Sequence, residues 1–188
     1  MDTLYSVAME KTDLNSVQIN ILNHMQKALQ FAADITKSQV YISARGKNED
    51  MAGVLMNVRP AYSSEEPAVS CGDVMQLTET PLIENVLAYG KKVVGRKETG
   101  IGRMAAVTAY PLFDNAGLAF AAVCFLSASL KQQQILTDTG YLSLQVPLEG
   151  DEYWTLRAQD GMIILDSVGR IIYANNIASD LCFVLDKE

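Results

Sequence analysis

The sequence predicts an α+β fold in which helices cover an antiparallel sheet. Three observations carry this: a long amphipathic helical stretch near the amino terminus, two pairs of apolar strand-like runs each broken by a turn segment, and the order helix, two strands, helix, edge strand, two long strands. With 188 residues the chain has room for one domain of about 100–200 residues and a fragment besides. Its 49 % apolar and 20 % charged residues are ordinary globular usage, which excludes a disordered acidic tail, a collagen-like repeat and a long coiled coil. A net charge of −7 has the wrong sign for coating nucleic acid. No apolar run approaches the roughly 18–20 residues that span a bilayer, and residues 1–10 lack the basic-then-apolar pattern of a secretory signal. A cytoplasmic chain that touches neither membrane nor nucleic acid is expected.

The first element is set by Leu14, Val17, Ile21, Met25, Ala28, Leu29 and Ala32, whose three- and four-residue steps place them on one helix face. Thr12 or Asp13 can cap its start, and neither Gly nor Pro interrupts it before Lys37. The period then changes. Gln39-Val40-Tyr41-Ile42-Ser43 and Gly53-Val54-Leu55-Met56-Asn57-Val58 read as strands separated by turn-rich residues 45–50, and Pro60 closes the second. Residues 63–73 are polar and read as a loop. Pro81 opens a short helix that Thr80 is placed to cap and Gly90 ends. After a short edge strand at Lys92-Val93-Val94, residues 104–112 and 118–126 are two apolar runs joined by Phe113-Asp114-Asn115-Ala116-Gly117, a hairpin connection between central antiparallel strands.

From residue 132 to 151 periodicity fades, and the segment reads as a connector followed by a short helix over 153–159. Met162-Ile163-Ile164-Leu165 and Arg170-Ile171-Ile172-Tyr173-Ala174 then form a second, tighter hairpin around Asp166-Ser167-Val168-Gly169. A helical pattern restarts at Asn175, with Ile177, Leu181 and Val184 on one side.

Cys71, Cys124 and Cys182 are an odd number at wide spacing, and flanks such as Val123-Cys124-Phe125 suit buried strand positions, so three reduced thiols are expected. His24 stands in no Cys-x-x-Cys or His-x-x-x-His pattern; it reads as a polar or interface side chain, and no metal or cofactor is expected. Residues 95–102, Gly-Arg-Lys-Glu-Thr-Gly-Ile-Gly, lack the Lys-Ser/Thr and the following helix of a phosphate loop, so they read as a plain glycine-rich connection. Arg59, Arg96, Lys97 and Arg103 gather near strand ends, where they either face a small anion or keep the sheet edges soluble. No set of nucleophile, acid and base emerges, and no catalytic residue is assigned.

The last segment resembles the opening of a PAS domain: Asp160, Gly161, Asp166, Gly169, Asn175 and Ala178 match that family's order of Asp-Gly, strand, Asp-x-x-Gly, strand, Asn-x-x-Ala. Gly169 permits the turn's backbone angles, Asp166 can bond the turn amides, and Asn175 can cap the following helix. A small domain of that kind needs on the order of 100 residues, so residues 160–188 read as its cut beginning. Residues 14–129 resemble a GAF-type sensor domain. More narrowly, they are similar to the amino-terminal domain of soluble bacterial sensor histidine kinases, in which a GAF-like domain precedes PAS and a kinase core. Ala33-Asp34 before the first strand, Val58-Arg59-Pro60 after the second, Gly90-Lys91-Lys92-Val93-Val94 after the Pro81-led helix, and the hairpin over 106–126 carry this resemblance.

The resemblance implies a GAF-like domain over residues 1–131, a connector over 132–159 and an incomplete PAS-like segment over 160–188. It implies a signal-input region that binds a small-molecule ligand or a partner, works as a homodimer, and passes a change through its flanking helices to a kinase core that acts on a response regulator. The histidine and ATP sites of that core are not recognisable here, so this chain is not expected to be an enzyme. In GAF-like folds the ligand cavity lies between the sheet and its covering loops and helices. The candidate ligand-binding residues are Tyr41, Met56, Arg59, Arg96, Arg103, Tyr110 and Phe125. Tyr41, Met56, Tyr110 and Phe125 either line that cavity or fill it, and strand alternation leaves both readings open. A ligand-free dimerisation domain is the alternative, and a small enzyme on a GAF-like scaffold a more distant one.

Overall fold

A computed structural model describes residues 3–61, 63, 66–100, 102–127, 133–145 and 160–182. Along the chain, two units form: Met1–Trp154 and Thr155–Glu188. The first contains α1 (Thr3–Lys11), α2 (Ser16–Thr36), β1 (Gln39–Arg45), β2 (Met51–Val58), β3 (Val74–Gln76), a 3₁₀ turn (Leu77–Glu79), α3 (Pro81–Tyr89), β4 (Val93–Gly100), β5 (Arg103–Phe113), β6 (Ala119–Ser127) and α4 (Gln133–Gln145). The strands make one antiparallel sheet in the order β3-β2-β1-β6-β5-β4, so the α+β plan read from the sequence holds.

Burial on both faces explains why β1 and β6 read as unbroken apolar runs rather than alternating ones. On one face Val40, Ile42, Leu55, Met56, Tyr110 and Phe125 pack under Ile19, Leu22, Met25, Leu29 and Ala32 of α2. On the other, Tyr41, Val54, Val107 and Cys124 pack with Ile83 and Val86 of α3. Helix α2 begins at a capping box: Asn15 Oδ1 accepts from the Gln18 amide at 3.0 Å while Gln18 Oε1 accepts from the Asn15 amide at 3.1 Å. This displaces the expected caps. Thr12 instead ends α1, an unexpected helix, by donating its hydroxyl to the Ala8 carbonyl at 2.7 Å.

Other departures share one cause, a local pattern overridden by packing. Thr80 does not cap α3 with its side chain; its hydroxyl donates to the Gln76 carbonyl at 3.0 Å, while its own carbonyl accepts from the Glu84 amide at 3.2 Å. The edge strand β4 runs on through Gly100, so most of the presumed glycine-rich connection is strand. Gly95 earns its place there, because a β-carbon would lie 2.6 Å from Leu82 Cδ2 on α3. Cys71 is exposed on a loop rather than buried in a strand, whereas Cys124 is fully buried. Residues 133–145 form helix α4 where no periodicity was read, and the expected helix over 153–159 lies outside the described residues.

The helical stripe of α4 comprises Leu136, Thr137, Gly140 and Leu144, all buried, and two of the four are not apolar. At Gly140 a β-carbon would stand 2.7 Å from Thr36 Cγ2 and 3.2 Å from Phe125 Cε1. Thr36 has no freedom to swing away, since it is buried and hydrogen-bonded to the Ala32 carbonyl at 2.6 Å.

In the second unit β7 (Ile163–Leu165) and β8 (Ile171–Ala174) form an antiparallel hairpin followed by α5 (Asn176–Cys182). Asp166 Oδ1 accepts from the amides of Val168 at 3.0 Å and Arg170 at 2.8 Å, and Gly169 takes φ 83°. Asn175 Oδ1 accepts from the amides of Met162 at 3.0 Å and Ala178 at 2.8 Å, while its Nδ2 donates to the Asp160 carbonyl at 2.9 Å. The Asp166 turn and the Asn175 cap on Ala178 are the roles read from the sequence; the bonds of Asn175 to Met162 and Asp160 were not foreseen.

Gly140→Ala tests the close fit of α4. Alanine normally favours a helix over glycine by about 1 kcal/mol, but overpacking a filled site costs about 1–3 kcal/mol. Net destabilisation is expected in denaturant unfolding; a stabilised variant would show that the groove gives way.

Candidate functional site

The α3 side of the sheet carries the candidate site. Along β4 burial alternates, turning Val93, Gly95, Lys97 and Thr99 inward and leaving Val94, Arg96, Glu98 and Gly100 outside. Tyr41 and Cys124 stand directly opposite each other on β1 and β6, at the centre of the same side. Above them Lys97 Nζ lies 3.4 Å from Met75 Sδ and 5.8 Å from the Tyr41 ring centroid. Because β3 and β4 are the two edges of the sheet, this meeting of Met75 with Lys97 shows how far the sheet curls over its α3 side.

A loop closes the remaining flank. Gly72 and Asp73 pair with Val54, whose carbonyl accepts from the Gly72 amide and whose amide donates to the Asp73 carbonyl, each at 2.8 Å. Gln39 holds the stretch before it, donating to the Val69 carbonyl at 2.8 Å and accepting from the Ala68 amide at 3.0 Å. Val69 is thereby buried on the sheet.

Among the described residues this side is apolar around the half-buried Lys97. Burial pulls the Lys97 ammonium below its ordinary pKa, with the neighbouring Cys124 and Asp73 opposing the shift. Among the described residues no carboxylate pairs with it at ion-pair distance. Burial also pushes the Cys124 thiol up to about 12, so it is a neutral thiol near pH 7. The Tyr41 phenol is pushed well up for the same reason.

The seven residues named from the sequence do not come together. Tyr41 lies on the α3 side, but Met56, Tyr110 and Phe125 pack on the opposite face beneath α2 and α4. Arg59, Arg96 and Arg103 are exposed. Of the four basic residues gathered near strand ends, Lys97 alone is half-buried and turned inward. Met75 and Cys124 were not foreseen as its neighbours. The residue types over 93–99 carry no signal for them, since β4 alternates in burial and not in polarity.

On the other face a second polar cluster joins the sheet to α4. Asp138 accepts from the Tyr110 hydroxyl and from Lys92 Nζ, both at 2.5 Å. The Tyr110 ring stacks on Tyr141 at 4.4 Å and meets Phe125 edge-on at 5.6 Å. Tyr141 donates in turn to the Pro111 carbonyl at 2.6 Å. Burial, with the Asp138 carboxylate beside it, pushes the Tyr110 phenol far above its ordinary pKa, and burial raises Tyr141 as well.

A curled antiparallel sheet with α2 and α4 on one face and α3 on the other defines a GAF-type sensor domain. Residues 4–136 match the family model described as histidine kinase PdtaS, GAF domain, and the chain belongs to that family. It is similar to a solved structure titled as the sensor region of a sensor histidine kinase, at 18 % identity and a TM-score of 0.61, over 100 % of this chain and 71 % of that one. A transcriptional regulator from Alicyclobacillus acidocaldarius is similar at 14 % identity and a TM-score of 0.50, over 75 % of this chain and 68 % of that one. The transcriptional regulator YaiJ follows at 17 % identity and a TM-score of 0.50, over 68 % of this chain and 92 % of that one. At these identities the likenesses show the fold. No curated protein matches the chain. Among the described residues no helix is long and apolar enough to cross a membrane, and no three His, Cys, Asp or Glu side chains gather as metal ligands.

The raised tyrosines predict alkaline sensitivity. Tyr41, Tyr110 and Tyr141 keep their protons in the fold, while the unfolded chain releases them near pH 10. Their contribution is present below about pH 10 and is lost as pH rises further, since the folded state then binds more protons. Tyrosinate absorbance should include a late, cooperative step that coincides with loss of the far-ultraviolet circular dichroism signal; smooth ionisation of all tyrosines near pH 10 in an intact fold would contradict it.

Proposed function

We propose that this chain is the signal-input region of a two-component sensor histidine kinase. In this reading a small anionic or electron-rich molecule enters the α3 side of the sheet and meets Lys97 against the apolar floor of Tyr41 and Cys124. The chain works in the cytoplasm as a homodimer, and residues 160–188 begin a PAS domain. A kinase core beyond them passes the signal to a response regulator. The observation that supports a ligand is the Lys97 ammonium: half-buried, beside a thioether and an aromatic ring, and, among the described residues, without a carboxylate at ion-pair distance. The sensor role is supported by the family match over residues 4–136. The exposed apolar residues Ile163, Leu165, Ile171 and Ile172 on the β7–β8 hairpin fit strands that belong to a larger sheet.

Thermal denaturation across a panel of small metabolites tests this. A ligand at 100 times its dissociation constant adds about 2.7 kcal/mol, which raises Tm by roughly 5–10 °C for a domain of this size. Lys97→Met should weaken an anionic hit at least about tenfold, the cost of one lost charge-assisted hydrogen bond. A panel without any shift favours the structural dimerisation domain instead.

A further inference from the structure

Among the described residues helix α4 is the last element of the first unit, and part of its hold is polar. Leu136 and Leu144 are its buried apolar anchors, while Ile135 and Leu142 are exposed at 42 % and 58 %. Its close packing is chiefly against α2, where Gly140 meets Thr36, and a separate polar group ties it to Tyr110 and Pro111 of β5: Thr137 and Asp138 meet the Tyr110 hydroxyl, Tyr141 stacks on its ring, and the Tyr141 hydroxyl reaches the Pro111 carbonyl. Lys92 completes the group from elsewhere. Its Nζ sits on Asp138 and 5.1 Å from the Tyr110 ring centroid.

The origin of Lys92 matters. It lies in the two-residue link between Gly90, the left-handed carboxy-terminal cap of α3, and Val93, the first residue of β4. A link of two residues spans no more than about 7 Å fully extended, so α3 cannot shift far without moving Lys92. One residue thus ties the helix on the candidate-site side of the sheet to the helix on the other. Lys92 and Asp138 are only partly buried, their side chains 28 % and 46 % exposed, so the pair adds little to stability. That suits a contact that sets position.

We propose that Lys92, Asp138 and Tyr110 form a latch that makes the docking of α4 depend on the position of α3. The two states are α4 seated, with Asp138 shared between the Tyr110 hydroxyl and Lys92, and α4 loosened, with that carboxylate released to water. Moving α3 withdraws Lys92 and biases the second state. The latch deepens the signal-input reading, on which its biological meaning rests, but its test needs no ligand, so the two stand or fall separately.

The test is hydrogen exchange of α4 amides in the 188-residue chain. Leu82→Ala lets α3 rock, because Leu82 is the side chain seated over Gly95. In the otherwise native chain this change should speed exchange over residues 136–144 at least about fivefold, the lower end of ordinary allosteric coupling. With Lys92→Met also present, the added effect of Leu82→Ala should fall below about twofold, while Lys92→Arg should restore it. Protection of β1 and β6 must stay unchanged in each variant; if Lys92→Met disturbs it, Asp138→Asn takes its place in the cycle with the same expected result. Equal acceleration in both backgrounds would mean that coupling runs through the sheet core, and no acceleration in either would mean that α3 and α4 are independent. Each of these outcomes overturns the latch.

Discussion

The antiparallel pairing of β1 with β6 is the constraint on which the rest of the first unit depends. It joins residues 39–44 to residues 121–126, and through them the amino-terminal half of the sheet to the carboxy-terminal half. Both strands are buried on both faces, so each must be covered twice, by α2 with α4 and by α3. Polar backbone in such a place is satisfied by the ladder alone, which leaves the side chains free to specify which helix lies where.

From that pairing the two faces acquire different chemistry. On the α2 side large side chains interdigitate with a 21-residue helix, and a polar cluster lies beneath α4. On the α3 side the helix is nine residues long and the floor includes Ala105, Ala109 and Ala122 beside Tyr41 and Cys124. A cation enters that smaller, drier side from the sheet edge. The sheet therefore separates a face built for packing from a face that carries a half-buried ammonium, and Lys92 is the residue that reaches from the link after α3 to the α4 face.

How much of this could be read from the sequence depends on how local its cause is. Both hairpins, Pro81 opening α3 and Gly90 closing it, and the Asp166 and Asn175 caps follow from residues within a few positions of one another, and all were legible. Helix α4 was not, because Thr137 and Gly140 occupy its buried stripe for reasons that reside in Thr36 and Phe125. Little of the candidate site was legible. Lys97 was one of four basic residues near strand ends and was not among the candidate ligand-binding residues, because its inward aim depends on β4 continuing through Arg96, Lys97 and Glu98, which pair with β5. Likewise nothing local distinguishes Tyr41 from Tyr110. Which face each one takes is a matter of strand parity, and a shift of one residue would exchange them.

The three hydrogen bonds of Asn175 have a consequence for the order in which the chain folds. Asn175 gathers Asp160, Met162 and Ala178, none more than 15 positions away, and Gly161 admits the backbone of Ala178 to 3.2 Å from where its β-carbon would be. Loops that short close quickly and at small entropic cost. β1, by contrast, must wait some 80 residues for its partner. During synthesis the first unit therefore holds an unpaired, apolar strand edge until β6 has emerged, whereas residues 160–182 can take shape almost as soon as they are made. The slow, exposure-prone step belongs to the sensor sheet, while the contacts within residues 160–182 are local in sequence.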